Sequence, residues 1–270
     1  MQGRLSPLMD GRIQSFPWSN WQNEFSMANG CNIFLMEWTL DQERLYENPL
    51  LTKDGQAEIM QLASKNQISI PSLTGDCFMQ APFWKAKGVE RQNLIQDFLA
   101  VVSACGVVGI RYVVIPLVDN GSLENSEQEN VLVEILEQHA DDLQKLGVVT
   151  VFESDFHPQE LKRFIARLSP ELFGINYDIG NSAALGFKLE DEIQAYGQRV
   201  LNVHVKDRLL GGITVPLTKG CAKLPQTIAM FESIGYQGNY ILQTARAVDN
   251  DHAGVLCRYR DMVQTWLGET

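Results

Sequence analysis

The sequence predicts an α/β fold, a single (β/α)8 barrel over residues 1–270 with a short first strand. Short apolar runs alternate with longer segments of helical period along nearly the whole chain, the pattern of a parallel sheet with helices outside it. The length of 270 residues suits one barrel of eight such units. No Gly-x-Gly-x-x-Gly turn follows an early strand, which argues against a doubly wound open sheet, and no linker or charge block divides the chain.

Taken in order, Met1–Leu5 is the only segment that can supply the first strand, and Trp21, Phe25 and Ala28 mark a helix within 18–30. The run 32–37 reads as a strand, followed by a helix over 55–66 with Ile59, Leu62 and Ala63 on one face. Residues 68–73 read as a strand despite Pro71, and Leu94, Ile95, Phe98, Leu99 and Val102 recur at helical spacing. The β-branched run 110–115 is a strand expected to stop at Pro116. Val131, Leu132, Ile135, Leu136, Leu143 and Leu146 line one helix ending at Gly147. Strands over 148–152, 173–177, 201–205 and 239–242 follow, with helices bearing Leu161 to Leu168 and Leu224 to Ile234 between them. Leu256, Tyr259, Val263 and Trp266 make a closing amphipathic helix.

Composition narrows the function. With 22 basic and 33 acidic residues the net charge is −11, and an acidic surface repels phosphodiester backbones, so no nucleic-acid partner is expected. No run of about 18 apolar residues is present, so no membrane span is expected. The first residues lack a basic segment followed by an apolar one, so no secretory signal is expected. Cys31, Cys77, Cys105, Cys221 and Cys257 form no Cys-x-x-Cys pair, which suits a reduced, cytoplasmic protein.

In such a barrel the C-terminal strand ends face the active site. Here apolar residues lead to polar ones at Glu153, Asp178, His204 and Gln243, spaced by 25, 26 and 39 residues, each compatible with one βα unit. Two carboxylates, an imidazole and an amide oxygen suit one divalent metal ion: Mn²⁺, Mg²⁺, Co²⁺ or Zn²⁺. The competing structural readings are a turn aspartate for Asp178, a core histidine for His204 and a hydrogen-bonding amide for Gln243. Lys206 shares His204's strand parity, so it either reaches a substrate oxygen or pairs with Asp207 on the surface. Glu37 either points into the barrel mouth as a substrate contact or is a buried acid paired with Arg4 or Arg111. Arg246 lies on the eighth loop, where barrels bind phosphate, unless it forms a surface ion pair. Asp76, Cys77 and His157 lie on the same rim with no role that the sequence assigns. Trp18, Trp38, Phe83 and Trp84 either wall a sugar pocket or pack in the core.

The stretches Asn176-Tyr177-Asp178-Ile179-Gly180-Asn181-Ser182 and Val203-His204-Val205-Lys206-Asp207-Arg208 resemble the xylose-isomerase-like TIM-barrel superfamily, in particular its sugar-phosphate isomerase/epimerase group, which is related to endonuclease IV. Met1-Gln2-Gly3-Arg4-Leu5 and Ile241-Leu242-Gln243-Thr244-Ala245-Arg246 are similar to that group too. The resemblance implies metal ligands Glu, Asp, His and Glu on strands five to eight; Glu153, Asp178 and His204 match, and Gln243 departs. In relatives, several apolar residues precede the Met-Gln-Gly-Arg run. The implied activity is metal-assisted proton transfer beside the carbonyl of a sugar or sugar phosphate, with Glu153 as base and Lys206 assisting. An amide at 243 cannot act as a base, so single-base chemistry is expected. The alternatives are an enolate-type lyase or dehydratase, and a sugar-binding barrel without catalysis. The endonuclease branch needs more histidines than His139, His157, His204 and His252. A homo-oligomer is left open.

Overall fold

The computed structural model describes residues 1–9 and 11–268. Helix α1 (Trp21–Gly30) leads to β1 (Leu35–Thr39), then α2 (Lys53–Asn66), β2 (Ser69–Thr74), α3 (Asp76–Gln80), α4 (Gly88–Val108) and β3 (Tyr112–Leu117). Next come α5 (Ser126–Gln138), α6 (Ala140–Leu146), β4 (Val149–Ser154), α7 (Pro158–Ile165) and β5 (Phe173–Asp178). The chain continues through α8 (Ile179–Leu185), α9 (Leu189–Tyr196), β6 (Val200–Val205), a small hairpin of β7 (Asp207–Arg208) and β8 (Thr214–Val215), α10 (Leu224–Ser233), β9 (Asn239–Leu242) and α11 (His252–Trp266). Seven parallel strands pair in the order β1-β2-β3-β4-β5-β6-β9, with the helices around them. This is a TIM barrel, nearly closed.

The eighth staves position holds only the start of the chain. Glu37 N donates to Met1 O (2.8 Å) and Gln2 N donates to Leu242 O (3.1 Å), so two residues bridge the seam between β1 and β9. The short first strand is therefore what the sequence indicated. The segment after it turns back over the barrel mouth: Ser6 N donates to Glu24 Oε1 (2.7 Å) and Phe16 N to Asp41 Oδ2 (3.0 Å).

Both strand prolines are accommodated by the pairing pattern. Opposite Pro71 the β1–β2 register shifts between Leu35 and Glu37, so the bulge absorbs the missing N–H. Strand β3 runs through Pro116 to Leu117 instead of stopping before it. Val114 O accepts from Gly75 N (3.0 Å), so Pro116, two residues on, faces the same side, where β2 has already given way to α3. The single helix expected up to Gly147 is broken at His139, whose backbone (φ −107°, ψ 12°) leaves the helical region between α5 and α6. Gly147 does stop α6, in the left-handed conformation at φ 68°.

After β6 the chain makes its longest excursion at the mouth, and Asp207 anchors it. This side chain is fully buried and accepts from Gly220 N (2.9 Å) and Ala222 N (3.0 Å), which folds the hairpin back beside Lys206. Replacing it (Asp207→Ala) orphans both amides. The expected outcome is a loss of about 1–3 kcal/mol in chemical denaturation, with faster amide exchange confined to residues 208–222.

Candidate metal centre

Strand parity places every second residue on the barrel interior, and the register aligns them across strands. Asn176 and Asp178 on β5 stand opposite Asn202 and His204 on β6. Asn202 donates to Glu37 Oε2 (3.1 Å) and Asn176 Oδ1 (2.8 Å); Asn176 in turn donates to Glu153 Oε2 (2.9 Å). Two amides thus join an acid on β1 to an acid on β4 through the barrel axis.

His204 is completely buried beside this ladder. Its Nε2 lies 2.8 Å from Glu37 Oε1, and its Nδ1 lies 3.2 Å from Glu153 Oε2 and 3.8 Å from Asp178 Oδ2. Burial favours the neutral forms, but the partners overrule it. The charge of Glu37 and the hydrogen bonding and charge of Glu153 hold His204 up at about 10. Burial would likewise raise Glu37, yet His204, Thr74 and Ser72 hold it down at about 2. Ser72 Oγ donates to Glu37 Oε2 (2.7 Å) and Thr74 Oγ1 to Oε1 (2.5 Å). Glu37 is therefore a buried acid, paired with His204 and not with Arg4 or Arg111.

Asp178 serves two roles, one per oxygen. Oδ1 caps α8 by accepting from Asn181 N (2.8 Å), and Oδ2 accepts from the Lys206 ammonium (3.0 Å). The same ammonium donates to Gln243 Oε1 (2.8 Å). Lys206 thus points inward, away from Asp207. Gly180 makes room for it, since a methyl group there would stand 2.8 Å from Lys206 Cγ. Asn181 Nδ2 orients the other side of Glu153 through Oε1 (2.6 Å), and Arg208 holds Asn181 by its Oδ1 (2.7 Å).

Glu153, Asp178 and His204 each turn one donor atom to a common space, all within 4.8 Å of one another. Ligands about 2.0–2.2 Å from an ion stand roughly 3–3.5 Å apart. The 3.2 Å separation of His204 Nδ1 from Glu153 lies in that range, and the 3.8 Å to Asp178 is a few tenths of an ångström wider. Glu37 beside Nε2 would orient the imidazole, and an ion bound at Nδ1 would displace the proton that this nitrogen otherwise turns to Glu153. The centre opens into a cavity of about 460 Å³ whose lining includes Gln14, Thr74, Asp76, Glu153, Asn181, Lys206, Arg208 and Gln243.

Other candidates stand elsewhere. The Arg246 guanidinium donates to the carbonyls of Ser6 and Ile13, tying the eighth loop to the N-terminal segment. Trp38 Nε1 donates to Asn48 Oδ1 (3.1 Å), Trp84 Nε1 donates to Gly121 O (3.1 Å), Phe83 is buried against Trp84, and Trp18 lies under the Arg44 guanidinium. Cys77 is buried, and His157 meets Phe187 edge to face. Sequence reasoning missed Asn176, Asn202, Asn181, Arg208 and Gln14. The first two were within reach, because the parity that placed Lys206 also puts Asn176 with Asp178 and Asn202 with His204.

The chain is similar to several known proteins. A Haemophilus influenzae protein provisionally named L-ribulose-5-phosphate 3-epimerase SgbU is 21% identical over 238 residues, 83% of each chain. An inosose isomerase of Bacillus licheniformis is 24% identical over 124 residues, 43% of this chain and 45% of its own. Among solved structures, the IOLI protein with a bound zinc atom superposes with a TM-score of 0.76 over 98% of both chains at 16% identity. D-psicose 3-epimerase in the presence of D-fructose gives 0.73 over 92% of this chain and 94% of its own, at 13% identity. The family model of the xylose isomerase-like TIM barrel matches residues 27–256, and the chain belongs to that family.

Proposed function

We propose that this protein is a sugar or sugar-phosphate isomerase or epimerase that moves a proton at the carbon beside a carbonyl. The observation that carries this reading is the setting of Glu153. Its carboxylate lines the cavity, is oriented on one oxygen by Asn176 and on the other by Asn181, and stands 3.2 Å from His204 Nδ1, while Lys206 lines the same cavity. Such a base needs only reach to the substrate carbon. Lys206 places an ammonium where negative charge develops on the carbonyl oxygen. The epimerase and isomerase relatives support the same reaction class.

Glu153, Asp178 and His204 would hold one divalent ion, with Gln243 as a neutral fourth ligand, and the ion would supply Lewis acidity at the substrate oxygens. Two features of this chain weaken that affinity. Gln243 contributes no charge, and the Lys206 ammonium occupies Asp178 Oδ2 and Gln243 Oε1. Titration calorimetry with Mn²⁺ should therefore show tighter binding, by roughly tenfold, for both Lys206→Met and Gln243→Glu. Equal affinity in all three proteins would mean that neither residue meets the ion.

The activity test follows ketoses and ketose phosphates in D₂O by proton NMR. Wild-type protein should exchange the hydrogen beside the carbonyl, and Glu153→Gln should slow that exchange by about 10²–10⁴-fold. Elimination products in place of exchange would identify a dehydratase. Sugar binding without exchange, in protein that takes up no Mn²⁺, would identify a barrel that binds without catalysis.

A further inference from the structure

An amide at position 243 leaves the centre one acid short of what inversion at carbon requires, since one group must remove a proton and another return one to the opposite face. We propose that Asp76 is that second proton-transfer group. The proposal rests on the isomerase reading above and extends it.

Three observations support Asp76. It follows β2 directly, only β3 separates that strand from Glu153's β4, and both acids line the same cavity. No hydrogen bond joins them among the described residues. Second, Asp76 is buried at 4% exposure, whereas Asp119 and Asp155 on the same cavity are exposed or half-exposed, and Asp155 accepts from Ser122 Oγ (2.5 Å). Third, its side-chain partner among the described residues is a neutral amide. Gln14 Nε2 donates to both oxygens (2.8 and 2.7 Å), and Arg4 fixes that amide by reaching Gln14 Oε1 (3.4 Å). A buried carboxyl without a salt bridge accepts and releases a proton near neutrality. Burial, with the charges of Asp41 and Glu153, lifts Asp76 to about 7 against the Gln14 hydrogen bond and Arg4; the neighbouring Cys77 thiol is itself pushed well up by burial.

The step balances. Glu153 takes the proton, the C–H electron pair forms the C=C bond, and the carbonyl π pair moves to oxygen. That pair then reforms C=O while the C=C pair takes the Asp76 proton on the opposite face. Glu153 ends protonated and Asp76 ionised, and exchange with water restores both.

The test uses Mn²⁺-supplemented protein and the ketose panel in D₂O. Wild type should invert its substrate, and the inverted product of the first turnover should carry solvent deuterium. Asp76→Asn should still exchange hydrogen with retention of configuration, while inversion falls at least a hundredfold; Glu153→Gln should lose both. A second readout is stability. A carboxyl raised in the folded state opposes folding once ionised, so Asp76→Asn should melt above wild type at pH 8, with the difference vanishing towards pH 4. Inversion by Asp76→Asn within threefold of wild type overturns the proposal, as does joint loss of exchange and inversion. Retained protium in the wild-type inverted product overturns it without any variant. Absence of all exchange in wild type overturns the isomerase reading itself, a distinct result.

Discussion

The centre depends on one buried ion pair, Glu37 with His204, set on the axis of the barrel. Removing charged groups from water costs several kcal/mol each, and that cost is offset only if every remaining hydrogen-bonding site nearby is filled. Ser72, Thr74 and Asn202 fill the lone pairs of Glu37, and Asn176 continues the chain to Glu153. The result is a polar column inside a barrel whose outer strand faces pack against apolar helices. His204 is accordingly both a core residue and a member of the site. The two descriptions exclude each other only if a core must be apolar.

The mouth is controlled by a second cation. Lys206 joins Asp178 on β5 to Gln243 at the end of β9, holding three successive strand ends together by two hydrogen bonds. An acid at 243 would make this a charged triad with two negative partners. The amide keeps the geometry and removes one charge, so a single ammonium completes the local pairing. Gly180 and the Asp207 anchor hold the stem of Lys206 and the loop beyond it in the arrangement this requires.

The N-terminal segment does more than begin the barrel. Its first two residues bridge the seam, and Gln14 lines the cavity: Arg4 orients Gln14, and Gln14 holds Asp76. Arg246 closes the arrangement from the other end of the chain through the Ser6 and Ile13 carbonyls. A group that looked from its loop position like a phosphate ligand is in this structure a tie between the two ends of the barrel.

The sequence by itself determined the parallel barrel, its short first strand, and the convergence of Glu153, Asp178 and His204, with Gln243 joined to them through Lys206. These follow from local rules: apolar periodicity marks the strands, parity selects their inner residues, and unit spacing repeats around the barrel. Local rules also set two errors, the stop at Pro116 and the unbroken helix to Gly147, because neighbour pairing decides whether a missing N–H matters. Only the tertiary structure decided the partners. Asn202 meets Glu37 across 165 residues, His204 takes the place assigned to an arginine, and Gln14 reaches Asp76 over a segment with no periodic signal. Those contacts exist only once the sheet curls round, since that alone brings inner residues of distant strands together on the axis and fixes which buried charges must neutralise one another.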